Sequence, residues 1–245
     1  TRLFQKIMTA GRPLEEVVEG KIYYGVKTGL NEAFIIDQDT YDHLIQGTPA
    51  CRVILKKMLR GEDLRPWYQE DEGRWLIAIP CGWIRRTFGE GLSEEAAWAH
   101  LAQQFPSIAA YLQPFADAAH ARCDKGEYWW ELRPCDYYEA FAQPKIFWPD
   151  VSKLPRCSWG DAGVFVGNTG YFIPATHPEW LALLQSRVSW FAIMQICTPL
   201  RLRAGLWQFR MFTQFIGRLP IIDISDVDRA TLGALAMEIT DLARA

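Results

Sequence analysis

The sequence predicts a mixed α/β fold with a largely N-terminal and central β-sheet and C-terminal bracing helices, and three observations predict it. Short β-branched and aromatic runs such as "RWLIAIP", "PKIFW", "GVFVG" and "YFIP" are bounded by Gly, Pro and Asn. Apolar residues recur at helical spacing in "PSIAAYLQPFADAA" and again after Pro178. Helix-start signals stand at Ser93, followed by Glu94 and Glu95, and at Ser225-x-x-Asp228.

In chain order, "KIYYGVKTGLNEAFIID" (Lys21 to Asp37) reads strand, glycine turn, strand. The glycines Gly25 and Gly29 are expected to supply positive φ in a tight hairpin. Thr48-Pro49 offers an N-cap and a first-turn proline for a helix carrying Val53, Ile54, Met58 and Leu59, stopped by Gly61. "RWLIAIP" is a buried strand ending at Pro80. The Ser93 helix breaks and restarts at Pro106, after which Ile108, Leu112, Phe115 and Ala119 share one face. "EYWWELR" reads as a strand that sends Trp129 and Trp130 to opposite sides, one into the core and one free to stack, or both structural. Helical patterning runs from Pro178 to about Cys197, and a last helix continues through Leu235, Ile239 and Leu242. Residues 1–175 are thus expected to form a mixed α/β region. Residues 176–245 form a helical region that packs on it or on a partner domain, the whole being one continuous module.

Composition narrows the function classes. The chain has 245 residues, 49% of them hydrophobic, enough for a real core. It begins at Thr1-Arg2 without a methionine and is expected to be a piece of a longer protein. No apolar run reaches the ~18 residues of a membrane span, and no signal peptide opens the chain, so no membrane partner is expected. The six cysteines (51, 81, 123, 135, 157 and 197) form no C-x-x-C and read as free thiols, which points to the cytoplasm. With a net charge of −3, a polyanion must be met by a local basic surface. One segment offers it. From Trp180 to Ile222 the chain carries Arg187, Arg201, Arg203, Arg210 and Arg218 and no acid. Such a block either faces an anion or belongs to buried elements whose charges reach the surface.

Motifs for covalent chemistry are missing. Gly25-Val-Lys-Thr-Gly29 is too short for a phosphate-cradling P-loop. His120-x-x-Cys123 with Cys135 lacks the second tight pair that zinc requires. Pro149-Asp150 has no following Glu-x-Lys to complete a nuclease site, Lys153 being the last lysine. There is no nucleophile elbow, no Gly-x-Gly-x-x-Gly and no Asn-Pro-Pro-Tyr loop of the amino-methyltransferases. No catalytic residue, metal or cofactor is therefore expected in this chain.

The ordered set "KIYYGVKTGLNEAFIID", "ILKKMLRGEDLRPW", "KGEYWWELRPCDYY", "FAQPKIFWPD", "GYFIP" and "FTQFIGRLPI" resembles the TaqI-like C-terminal specificity domain. That domain is the target-recognition half of type IIG restriction-modification enzymes and adenine-specific DNA methyltransferases. The resemblance runs from about Lys21 to Ile222. It implies a partner in double-stranded DNA and a second partner in an N-terminal methyltransferase domain. That domain would bind S-adenosylmethionine and methylate adenine N6, with a nuclease ahead of it in some relatives. The segment "LRLRAGLWQFR" departs from the glycine-rich stretch common at that place.

On this reading Lys27 and Thr28 meet a DNA phosphate, while Asn31 reaches a base edge or braces the turn. Arg85, Arg86 and Arg133 sit at strand exits where loops can enter a groove. Lys145 is a further phosphate contact or part of a core strand. Arg201 and Arg203, two apart on a strand, share one face, with Leu200 and Leu202 on the other. Two rivals belong to other classes: a carbohydrate-binding module using the 11 tryptophans as a stacking platform, and a protein–protein scaffold built on the late helices.

Overall fold

The computed structural model describes residues 2–245 and confirms a mixed α/β fold. The chain divides into two compact units that interleave along the sequence. The first comprises residues 1–25, 59–71 and 139–245, and the second residues 26–58 and 72–138. The 175/176 boundary read from the sequence falls inside the first unit.

The first unit is built on an antiparallel sheet in the order Tyr23–Tyr24, Gly170–Pro174, Lys145–Pro149, Ser158–Gly160. Its central strands are apolar on both faces, as a strand covered on two sides must be. Ile146, Trp148, Tyr171 and Ile173 join Leu181, Leu184, Ala192 and Ile193 in one core. The last four belong to the helices Glu179–Gln185 and Arg187–Ile196. Ser186 separates those helices and caps the second, its hydroxyl accepting from the Ser189 amide at 3.1 Å. The final helix, Asp226–Arg244, is capped by Ser225 in the expected way.

Lys145 is the surprise of this sheet. It is fully buried, and its Nζ donates to the carbonyl oxygens of Phe141 (2.9 Å) and Asp161 (3.0 Å). The expected phosphate contact is corrected, because a buried ammonium spent on two main-chain carbonyls has no surface to offer. Burial lowers its pKa to about 8. The unfolded chain holds that proton up to the ordinary lysine range near 10.4. Between those values the unfolded state binds the extra proton, so this group adds stability as pH rises. Relative to Lys145→Met, the wild type is expected to gain up to about 1.4 kcal/mol per pH unit from pH 8 to 10 in urea unfolding. A flat difference across that window would contradict the assignment.

The second unit holds a small antiparallel sheet in which Trp75–Ile77 lies between Ile35–Ile36 and Leu55–Leu59. The helix expected after Thr48-Pro49 is only a 3-10 turn, Pro49–Val53, that runs into the Leu55–Leu59 strand. "KIYYGVKTGLNEAFIID" is not a hairpin either. Tyr23–Tyr24 pairs with Gly170–Pro174, whereas Ile35–Ile36 pairs with Trp75–Ile77. Gly29 does take φ +72°, but Gly25 is needed for another reason: a Cβ there would lie 1.9 Å from the Gly167 carbonyl oxygen.

Candidate nucleic-acid interface

In the second unit, four of the predicted basic residues are organised by one turn that the sequence reading takes for a strand. Residues 122–133 form an irregular loop closed by a Lys125–Leu132 bridge, and both Trp129 and Trp130 are buried. Neither indole is available to stack on a ligand. At the base of the loop Arg122 is buried and its guanidinium donates to the carbonyls of Thr28, Trp129 and Glu131 while lying 4.2 Å from the Phe34 ring centroid. Desolvation lowers its pKa to about 10, which leaves it a cation at neutral pH.

The acids of this loop then hold the surface cations in place. Asp124 pairs with Lys27 at 2.6 Å and with Arg133 at 3.6 Å. The Lys27 hydrogen bond, with the charges of Arg133 and Arg122 behind it, holds the Asp124 carboxyl below the usual carboxylate range. Glu127 pairs with Arg85 at 2.8 Å. The buried Glu131 carboxylate accepts from the amides of Gly82, Ile84 and Glu127 at 3.0–3.1 Å. It thereby satisfies the open start of the short helix Trp83–Phe88, on which Arg85 and Arg86 sit. Burial raises the Glu131 pKa against these three amides.

Lys27, Arg85, Arg86 and Arg133 are therefore exposed cations on a prepared surface. Arg85 and Arg86 lie on a helix rather than in a loop, and among the described residues Arg86 makes only a long 3.5 Å bond to the Cys81 carbonyl. Two predicted contacts change character. Thr28 is 1% exposed, and its hydroxyl donates to Asn31 Oδ1 at 2.7 Å and accepts from the Leu30 amide. A hydroxyl so enclosed braces the turn and does not meet a phosphate. Asn31 is exposed and completes that brace, the second of its two expected roles.

In the first unit the arginine-rich segment is a two-stranded ribbon. Strands Thr198–Arg203 and Leu206–Arg210 pair antiparallel, and Val151–Ser152 pairs with the root of the second. The turn residues Ala204 and Gly205 both have positive φ (52° and 76°), the geometry that matches the natural twist of a two-residue hairpin. Every residue from Thr198 to Trp207 is exposed. Phe209 anchors the ribbon in the core, with its ring edge-on to Trp190. Opposite residues share a face. Arg201 faces Gln208 and Arg203 faces Leu206 on one side, and Leu202 faces Trp207 on the other. The Arg201 Nε donates to Gln208 Oε1 at 2.7 Å. Among the described residues, neither Arg201 nor Arg203 is paired with a carboxylate. Trp207, at 51%, is the one exposed tryptophan of the eleven.

Among the described residues no three His, Cys, Asp or Glu side chains gather as a metal-binding group, and no helix is long and apolar enough to cross a membrane.

No protein-family model and no curated protein matches the sequence. Solved structures do. One is the type IIL restriction-modification enzyme MmeI in complex with DNA, with a TM-score of 0.51 and 14% identity over 89% of this chain and 27% of that one. Another is the type IIG restriction endonuclease BpuSI, with a TM-score of 0.54 and 13% identity over 97% of this chain and 28% of that one. The likeness is one of fold, and this chain spans little more than a quarter of either neighbour.

Proposed function

We propose that this chain is a DNA target-recognition module of a restriction-modification system, of the TaqI-like specificity type. The observation that carries the proposal is the exposed ribbon, whose Arg201 and Arg203 have no acid partner among the described residues. It stands on a fold shared with a segment of two restriction-modification enzymes. A two-stranded β-ribbon is of a size that the ~12 Å major groove admits. The arginines supply the charge that phosphates and base edges require, and the Lys27–Arg133 surface of the second unit supplies further phosphate contacts.

The module works beside an adenine-N6 methyltransferase domain that binds S-adenosylmethionine and extrudes the target base. A cytoplasmic setting follows, since that is where such an enzyme meets DNA. In this division of labour the present chain contributes recognition and no catalytic group. The carbohydrate reading is left with one exposed indole, Trp207, because Trp129 and Trp130 are both buried.

Binding of duplex DNA by the full-length protein, followed against salt, tests the proposal. Phosphate contacts release counterions and give a steep negative slope, whereas stacking on sugar does not. Lys27→Ala is expected to weaken all duplexes about equally and to reduce the slope by roughly one. An unchanged slope in a folded variant would leave Lys27 as the partner of Asp124 and nothing more.

A further inference from the structure

Resting on the DNA-recognition reading, we infer that Arg201 reads a guanine and that Gln208 is the residue that positions it, while Arg203 contacts phosphate. The two arginines lie on the same face of the same strand, yet their neighbours differ in kind. Across the ribbon from Arg201 stands Gln208, whose Oε1 accepts from the Arg201 Nε at 2.7 Å. That bond uses one donor of the guanidinium. The two terminal nitrogens, with four N–H groups in one plane, have no partner among the described residues.

The buttress is itself well rooted. Gln208 precedes Phe209, which is buried against Trp190 and pairs with Ser152 in the third strand. A planar fork fixed at its inner nitrogen and open at its outer edge is the shape that meets the O6 and N7 acceptors of guanine together. Phosphate needs no such fixing, since it offers charge and oxygen in several directions. Arg203 has Leu206 opposite it, a side chain with no acceptor, so its guanidinium is not held in one plane. Two residues along a strand span ~6.8 Å, about two steps of the ~3.4 Å rise of B-DNA. Arg203 can therefore reach the backbone while Arg201 lies over a base pair.

The test is selection of bound duplexes from a random-sequence library by the full-length protein, followed by affinity measurements at fixed salt. The wild type is expected to select a motif containing a G·C pair that depends on Arg201. Arg201→Lys keeps the charge but not the fork. It should lose about 10-fold or more of the discrimination at that pair and leave other positions and the salt slope unchanged. Gln208→Leu should broaden the same position and no other. Replacing that guanine with 7-deazaguanine, which removes the N7 acceptor, should weaken the wild type about 10-fold and Arg201→Lys less than 2-fold. Arg203→Ala should instead weaken every duplex alike and reduce the salt slope by about one. A full motif retained by Arg201→Lys, or indifference of the wild type to 7-deazaguanine, overturns the inference while leaving DNA recognition standing. A wild type that binds no duplex overturns both.

Discussion

Replacing Arg201 and Arg203 together with alanine is expected to leave the fold intact and to reduce the affinity of the full-length protein for its DNA target about 100-fold. The fold should survive because both side chains are exposed and neither pairs with an acid among the described residues. Surface changes of this kind are usually worth within about 0.5 kcal/mol of stability. The affinity should fall because one bidentate base contact carries about 1–3 kcal/mol and a phosphate contact adds to it. Circular dichroism and a binding isotherm at fixed salt check the two halves separately. A folded variant with wild-type affinity would remove the ribbon from the interface. In that case the basic segment from Trp180 to Ile222 would need another anion, on a protein partner.

The second large effect is on stability. Arg122→Met is expected to destabilise the second unit by about 3 kcal/mol or more, because buried acceptors that lose their donor cost about 1–3 kcal/mol each. Among the described residues the carbonyls of Thr28 and Trp129 take their hydrogen bond from this guanidinium alone, and that of Glu131 shares it with the Gly126 amide at 3.2 Å. Together they tie the Lys27 loop to the turn that presents Asp124 and Glu127. Loss of Arg122 should therefore also release Lys27 and Arg133 from their common carboxylate. Urea unfolding followed by tryptophan fluorescence measures the first effect, since Trp129 and Trp130 lie within the turn. A loss below about 1 kcal/mol would show that water replaces the guanidinium at these carbonyls.

Much of the fold was legible in the sequence where one physical signal had no competitor. "PKIFW" and "GYFIP" are short, apolar apart from Lys145 and bounded by proline or glycine, and they form the two central strands of the first unit. Ser93 and Ser225 open helices because their hydroxyls accept from amides three residues on. Legibility failed where two periods fit the same residues. Ile54, Leu55, Met58 and Leu59 satisfy a helical face as well as a buried strand, and pairing with Trp75–Ile77 decided for the strand. "EYWWELR" has the aromatic density of a strand, but Asp124-Lys125-Gly126 just before it is turn chemistry and prevails.

The candidate site shows the same division. The strand character of Leu200–Arg203 and its row of two arginines were legible from spacing alone. The organising residues were not. Arg122, Asp124, Glu127 and Glu131 act through partners far away in sequence, at Thr28, Lys27, Arg85 and Gly82. The one signal available was the run of acids in a glycine turn close to tryptophans, which is also what an ordinary solvated loop looks like. Lys145 misled for the opposite reason. Lysine is almost never fully buried without a partner, and here the partners are main-chain carbonyls that no side-chain pattern reveals.

Site-directed cross-linking shows whether the ribbon meets DNA. Leu206 is exposed at the tip of the ribbon, directly across from Arg203. A photoreactive benzoylphenylalanine placed there in the full-length protein, bound to its target duplex and irradiated, is expected to yield a protein–DNA adduct. That adduct should disappear when the Arg201→Ala, Arg203→Ala changes are added. Adducts confined to protein, with none to DNA under conditions where the duplex is bound, would place the ribbon outside the DNA interface.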